Sequence, residues 1–154
     1  RLEGFSQFSP KRIILDRNLE INLRSYIAKS IKNENTIIFH NSNDKSKIKL
    51  LKKRGAILIK RSTDKYKNLD LKKILKELYK MKIRNLLVEG GDILTKNFLQ
   101  KKLFNEFYMF RSSKNLSKNK KHVNFTSFSI LNTKYNKHKI NSKLATDKLT
   151  IYKN

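Results

Sequence analysis

Short apolar runs alternate along this chain with stretches in which apolar residues recur every three or four positions. Arg12–Asp16 (RIILD), Thr36–His40 (TIIFH), Ala56–Lys60 (AILIK) and Asn85–Glu89 (NLLVE) carry unbroken apolar centres, the pattern of strands buried on both faces. Glu106–Arg111 (EFYMFR) reads as a fifth strand. Between them the spacing predicts a short helix over Ser25–Ile31 and a longer one over Asp44–Arg54, where Ile48, Leu50 and Leu51 are spaced for a helix and Gly55 stands just past the end. The clearest helix is Leu69–Lys82: Leu71, Ile74, Leu75, Leu78 and Tyr79 form one apolar stripe with lysines opposite. Gly90-Gly91 breaks the fourth run, and Asp92–Lys101 follows as a helix with Ile93, Leu94 and Phe98 inward. This alternation predicts an α/β fold with a mostly parallel sheet flanked by helices. Residues 112–139 are Lys/Asn-rich and read as a long surface connection with one edge strand at Phe125–Leu131. Ile140–Leu144 and Lys148–Tyr152, around Ala145-Thr146-Asp147, read as a C-terminal antiparallel hairpin. The length of 154 residues suits one domain.

Composition narrows the chemistry. Cysteine is absent, which removes disulfides, thiol nucleophiles and Cys-ligated metals from these residues. His40, His122 and His138 are far apart, so no short-spaced zinc motif exists and each histidine is expected at the surface. The net charge of +25 attracts polyanions. It is carried by 29 Lys and only 8 Arg beside abundant Asn and Ile. That is the signature of an A/T-rich coding bias, whereas nucleic-acid surfaces lean on Arg. No nucleic-acid partner is expected, with a basic RNA-binding module kept as the alternative. No apolar run approaches the ~20 residues of a membrane span, so the expectation is a soluble, cytoplasmic protein without membrane contact and without a metal.

Four glycines (Gly4, Gly55, Gly90, Gly91) allow neither a dinucleotide G-x-G-x-x-G fingerprint nor a P-loop. The informative stretch is Leu86–Leu94: an apolar strand ending in Glu89, two glycines, then a helix at once. Ligands of parallel α/β sheets collect beyond the carboxyl ends of strands. Glycines let a ligand approach the backbone, and a helix start offers free N–H groups to a phosphate. The residues alone leave open whether this is a ligand site or an ordinary tight turn.

The run Leu69–Phe110, with its V-E-G-G centre, resembles the C-terminal reductase domain of the bifunctional riboflavin-biosynthesis deaminase/reductase family. Pro10–Ile21 (PKRIILDRNLEI) is similar to that family's P-x-R-hydrophobic-L-D segment, and KLATDKLTIYKN to its closing strand pair. The resemblance implies a dihydrofolate-reductase-like fold in which NADPH reduces the ribose of 5-amino-6-(5-phosphoribosylamino)uracil to the ribitylamino product. It implies Glu89 as the catalytic and substrate-contacting carboxylate and Arg1 as a second substrate contact. Gly90, Gly91, Asp92, Ile93, Leu94, Thr95, Lys96 and Asn97 match the stretch around the NADPH phosphates. Arg17 matches a cofactor-contacting position commonly filled by Ser. The chain opens on Arg1 rather than Met and lacks the strand and helix with which the family's reductase domain begins; it also reads Ser112-Ser113-Lys114 where the family often has P-K-x-x-G. A catalytically incomplete paralogue or fragment therefore stands beside the active reading. A fused zinc deaminase domain upstream and a homodimer are the partners the resemblance implies, beside the phosphorylated pyrimidine ribosylamine.

Overall fold

The computed structural model describes residues 9–112, 125–140 and 147–154. The chain divides into two units, Arg1–Arg84 and Asn85–Asn154.

The first unit is built on three parallel strands in the order β1 (Arg12–Leu15), β2 (Thr36–His40), β3 (Ala56–Lys60). Every residue of β2 is buried, because the sheet is covered on both sides and side chains alternate between them. Ile38 points into a cluster with Leu19, Ile31, Leu51 and Ala56. Ile37 and Phe39 point the other way, into a cluster with Leu69, Ile74 and Leu78. The register places Ile14, Ile38 and Leu58 in one row across the sheet. Arg12 fastens the entry to β2: its guanidinium donates to Ser30 Oγ at 2.7 Å and to Thr36 Oγ1 at 2.8 Å.

The three helices of this unit lie where the spacing put them. α1 (Tyr26–Lys29) is a single turn capped by Ser25. α2 (Lys45–Lys53) starts at Asp44, whose carboxylate accepts from Lys47 N at 2.9 Å. It ends into Gly55 at φ +92°, the left-handed step that closes helices and that suits glycine. α3 (Leu71–Lys80) is capped by Asp70 and buries Leu71, Ile74 and Leu78. Tyr79, placed in the apolar stripe by the spacing, is instead exposed beneath the Arg84 guanidinium, 4.0 Å from the ring centroid.

The second unit is antiparallel. β4 (Glu106–Arg111), β6 (Lys148–Lys153) and β5 (Asn136–Ile140) lie in the order β4-β6-β5. The expected mostly parallel sheet is therefore confined to β1–β3, and the fifth predicted strand, β4, pairs antiparallel with β6. The closing hairpin exists as the β5–β6 pair, with Ile140 opposite Leu149. Its first strand starts earlier than expected, and residues 141–146, including the predicted turn at Ala145-Thr146, lie outside the described residues. α4 (Asp92–Gln100) and α5 (Phe128–Lys134) contribute Leu99 and Leu131 to a core with Met109 and Tyr152. Phe104 and Tyr135 meet edge to face at 4.9 Å, and Tyr135 donates to the Leu99 carbonyl at 2.7 Å.

Two sequence expectations fail here. Phe125–Leu131 is not an edge strand: it leads through a turn, whose amides are held by a carboxylate described below, into α5. Asn85–Glu89 forms no strand either. Among the described residues no strand pairs with it, and Leu87 is 82 % exposed. A run whose apolarity suits burial on both faces needs neighbours on both edges to become a strand.

Leu51 is fully buried between the sheet and α2, so Leu51→Ala should lower the unfolding free energy by about 2–5 kcal/mol in urea titration. Gly55→Ala would press a Cβ to 3.0 Å from Asn33 N at positive φ, and should cost about 1 kcal/mol or more by the same measurement.

Candidate functional site

The strand-to-helix turn is present in altered form. Glu89 and Gly90 are exposed and lie outside any strand or helix, and α4 begins directly after Gly91. Gly91 has φ −72° and ψ −179°, a backbone that any residue adopts. The two glycines have different reasons to lack a side chain. A Cβ at Gly90 would sit 2.7 Å from Leu94 Cδ2, whereas a Cβ at Gly91 would meet nothing within 4 Å. Gly91 thus faces open space at the helix start. No side chain caps α4, and its first bond to a backbone carbonyl in front of the helix is Thr95 N to Gly91 O at 3.1 Å. The leading N–H groups of such a helix have no intrahelical acceptor.

Asp92 does not join that surface. Its carboxylate accepts from Thr126 N and Ser127 N, each at 3.0 Å, from Ser127 Oγ at 2.6 Å and from Thr126 Oγ1. It ties down the turn that leads into α5, at whose start Ser127 makes no side-chain cap of its own. The hydroxyls and amides of Ser127 and Thr126 hold its pKa below the ordinary carboxylate value. The Asp92 carboxylate is thus engaged in a structural tie within the second unit. Thr126 and Ser127 were missed in the sequence because their segment reads as a featureless connection; an S/T pair just before an apolar run is the signal that was there to use.

The remaining predicted residues of this stretch divide by exposure. Ile93, expected inward, is 74 % exposed, while Leu94 is half-buried and Phe98 buried. Lys96 is exposed, and Asn97 Nδ2 donates to the Ile93 carbonyl at 2.9 Å. Arg1 lies outside the described residues. Arg17 belongs to the first unit, just beyond β1, and its guanidinium donates to Asn18 Oδ1 at 3.1 Å and to the Lys67 carbonyl. Asp16 is structural: its carboxylate accepts from Glu20 N at 2.8 Å and Ile21 N at 2.7 Å.

His40 departs most from expectation. It is not a surface residue but 3 % exposed at the end of β2, and Nδ1 has no hydrogen-bond partner. Burial lowers its pKa below the ordinary 6.5, Lys60 and Lys52 add to this, and the Ser42 backbone and Asp16 oppose it. No helix among the described residues is long and apolar enough to cross a membrane, and no group of three or more His, Asp or Glu among them could hold a metal ion.

A model of the RibD C-terminal domain matches residues 2–142. The riboflavin biosynthesis protein RibD of Aquifex aeolicus (strain VF5) is 33 % identical over 105 residues, covering 68 % of this chain and 28 % of its own length. Two crystal forms of Acinetobacter baumannii RibD, each 20 % identical, superpose with TM-scores of 0.66 and 0.69 over 94 % and 99 % of this chain. They are covered over 37 % and 41 % of their own length. A pyrimidine reductase-like protein of Corynebacterium diphtheriae gives a TM-score of 0.64 at 14 % identity, covering 94 % of this chain and 60 % of that one. The chain thus spans well under half of the RibD proteins it matches.

Two pH effects follow. Unfolding lets His40 bind a proton that the folded chain refuses, so its contribution to stability is complete above pH 6.5 and is lost as pH falls below it. His40→Gln should flatten urea stability between pH 7 and pH 5. Asp92 has the opposite kind of shift: its contribution is present above the ordinary carboxylate value and is lost as pH falls through its depressed pKa. Asp92→Asn should speed hydrogen exchange at the Thr126 and Ser127 amides at neutral pH and remove that acid-side loss from the second unit.

Proposed function

The chain belongs to the RibD C-terminal domain family, and from that premise we propose that it reduces the ribose of 5-amino-6-(5-phosphoribosylamino)uracil to the ribitylamino product with NADPH in riboflavin biosynthesis. The observation that carries the proposal is the start of α4: an exposed carboxylate at Glu89, then open space at Gly91, then helix amides that no side chain caps. Those features fit a phosphate-bearing dinucleotide. The helix amides donate to its phosphate oxygens and the dipole favours the negative charge. A residue without a side chain lets it lie against the main chain. Asp92 carries the one negative charge of the first turn, and it is turned onto Thr126 and Ser127. When bound, NADPH supplies a hydride from its nicotinamide C4.

The protein's part is position and proton control. Glu89 orients the opened sugar so that C1′ faces the hydride donor and serves the proton balance at that centre. Arg1 and Arg17 are the cations assigned to phosphate groups of the two ligands. The same reading gives the full-length protein a zinc deaminase domain and a homodimeric assembly.

Two substitutions separate the roles. Glu89→Gln should slow ribose reduction by at least about tenfold in kcat with the NADPH dissociation constant little changed. Gly91→Val fills empty space, so it should spare the fold and weaken NADPH by about tenfold or more in calorimetric titration. Parallel loss of both properties in Glu89→Gln, or no loss in either variant, removes the proposal.

A further inference from the structure

The net charge of +25 does not by itself give a partner a place on the molecule, but the outer side of α3 does. Helical spacing turns Leu71, Ile74 and Leu78 inward and sets Lys72, Lys76, Tyr79 and Lys80 in one stripe on the opposite side. All four are exposed. Lys72, Lys76 and Lys80 follow one another at four-residue steps, each about 6 Å along the helix axis. That step is comparable to the spacing of successive phosphates in an extended single strand. The three lysines make no ion pair among the described residues. The carboxylates nearest to them are already engaged: Glu77 is paired with Arg61 at 2.8 Å, and Asp70 with Lys73 at 3.6 Å.

Tyr79 supplies what a merely solvated lysine face lacks. Its ring is 62 % exposed and carries the Arg84 guanidinium 4.0 Å from its centroid. The stack fixes the ring's orientation, and an aromatic ring and a planar guanidinium are both surfaces on which nucleobases stack. Cations at phosphate spacing beside such a platform are the parts of a single-strand site. A duplex keeps its bases stacked inside and would leave the ring unused. An acidic protein would engage the lysines and equally leave the ring to water. The contrast lies in α2, where Lys45, Lys49 and Lys53 repeat the four-residue steps and are exposed, but the helix holds no aromatic residue.

We infer that the outer face of α3 binds single-stranded nucleic acid, with Lys72, Lys76 and Lys80 on successive phosphates and the Tyr79–Arg84 stack under a base. The coding bias that accounts for the number of lysines does not account for an arginine-backed aromatic ring set among them. The inference does not rest on the reductase reading, because no residue of this face belongs to the start of α4.

The whole chain is titrated into a fluorescent, unstructured strand of about twelve nucleotides, as RNA and as DNA, and into the matching duplex. Anisotropy is read between about 50 and 200 mM salt. The single strand should bind with a dissociation constant on the order of 1–100 μM near physiological salt, several-fold tighter than the duplex. Lys72→Gln, Lys76→Gln and Lys80→Gln together should weaken binding by at least about tenfold and reduce the slope of log affinity against log salt by about 2. Tyr79→Ala should weaken binding by at least about fivefold with the slope unchanged, and Tyr79→Phe should keep wild-type affinity. Lys45→Gln, Lys49→Gln and Lys53→Gln together remove the same charge from α2 and should cost less than about threefold. The tighter of the RNA and DNA arms names the polymer this face serves. A duplex bound as tightly as the single strand overturns the inference, because the bases then play no part. So does an equal loss in the α2 and α3 variants, which assigns binding to net charge. A Tyr79→Ala protein that binds like the wild type, or a wild type that does not bind by about 100 μM, overturns it as well.

Discussion

A strand buried on both faces cannot slip by one residue without turning its apolar set inside out, and β2 puts the first unit under that constraint. Ile38 must face α2 while Ile37 and Phe39 face α3, so β1 and β3 are drawn into a single register on either side. Once Ile14, Ile38 and Leu58 are aligned, the polar residues two positions further on are aligned as well. The juxtaposition of Asp16, His40 and Lys60 is in this sense a by-product of core packing. It needs no side-chain interaction of its own to exist, and Asp16 and Lys60 each find partners on neighbouring loops.

The first unit was legible because its signals are local. Apolar runs and Gly55 as a helix stop each act within a turn or two of chain and lie where the periodicity put them, whereas α3 starts after its cap Asp70 rather than at Leu69. What the sequence concealed depends on partners distant in the chain. Asn85–Glu89 reads as a strand, yet a strand is a relation between segments, and no described segment pairs with this one. Phe125–Leu131 has β-like composition, but Asp92, more than thirty positions earlier, holds the Thr126 and Ser127 amides in the turn that leads into a helix there. His40 looks like the polar end of a strand, and only the packing on both sides of β2 buries it.

The candidate site was legible to a similar degree. The order carboxylate, diglycine, helix was visible in VEGGD, and the open first turn of α4 follows from it. The role of Asp92 was not visible, because a carboxylate at a helix start looks equally suited to its own helix or to a neighbouring one. The structure resolves this in favour of α5. A residue that would repel a phosphate is thereby turned to a structural task, and the amides behind it keep their donors.

The exposed run Leu86–Val88 has a consequence for handling the protein in solution. Three adjacent large apolar residues without a pairing strand among the described residues offer a template to which another extended chain can add. Arg84 and Glu89 bracket the run with charge, and the net charge of +25 makes every two copies repel at long range. Colloidal behaviour is thus set by a contest between a short sticky segment and a strong mutual repulsion. Added salt screens only the second, so the lysines that look like compositional drift act as the protein's dispersant.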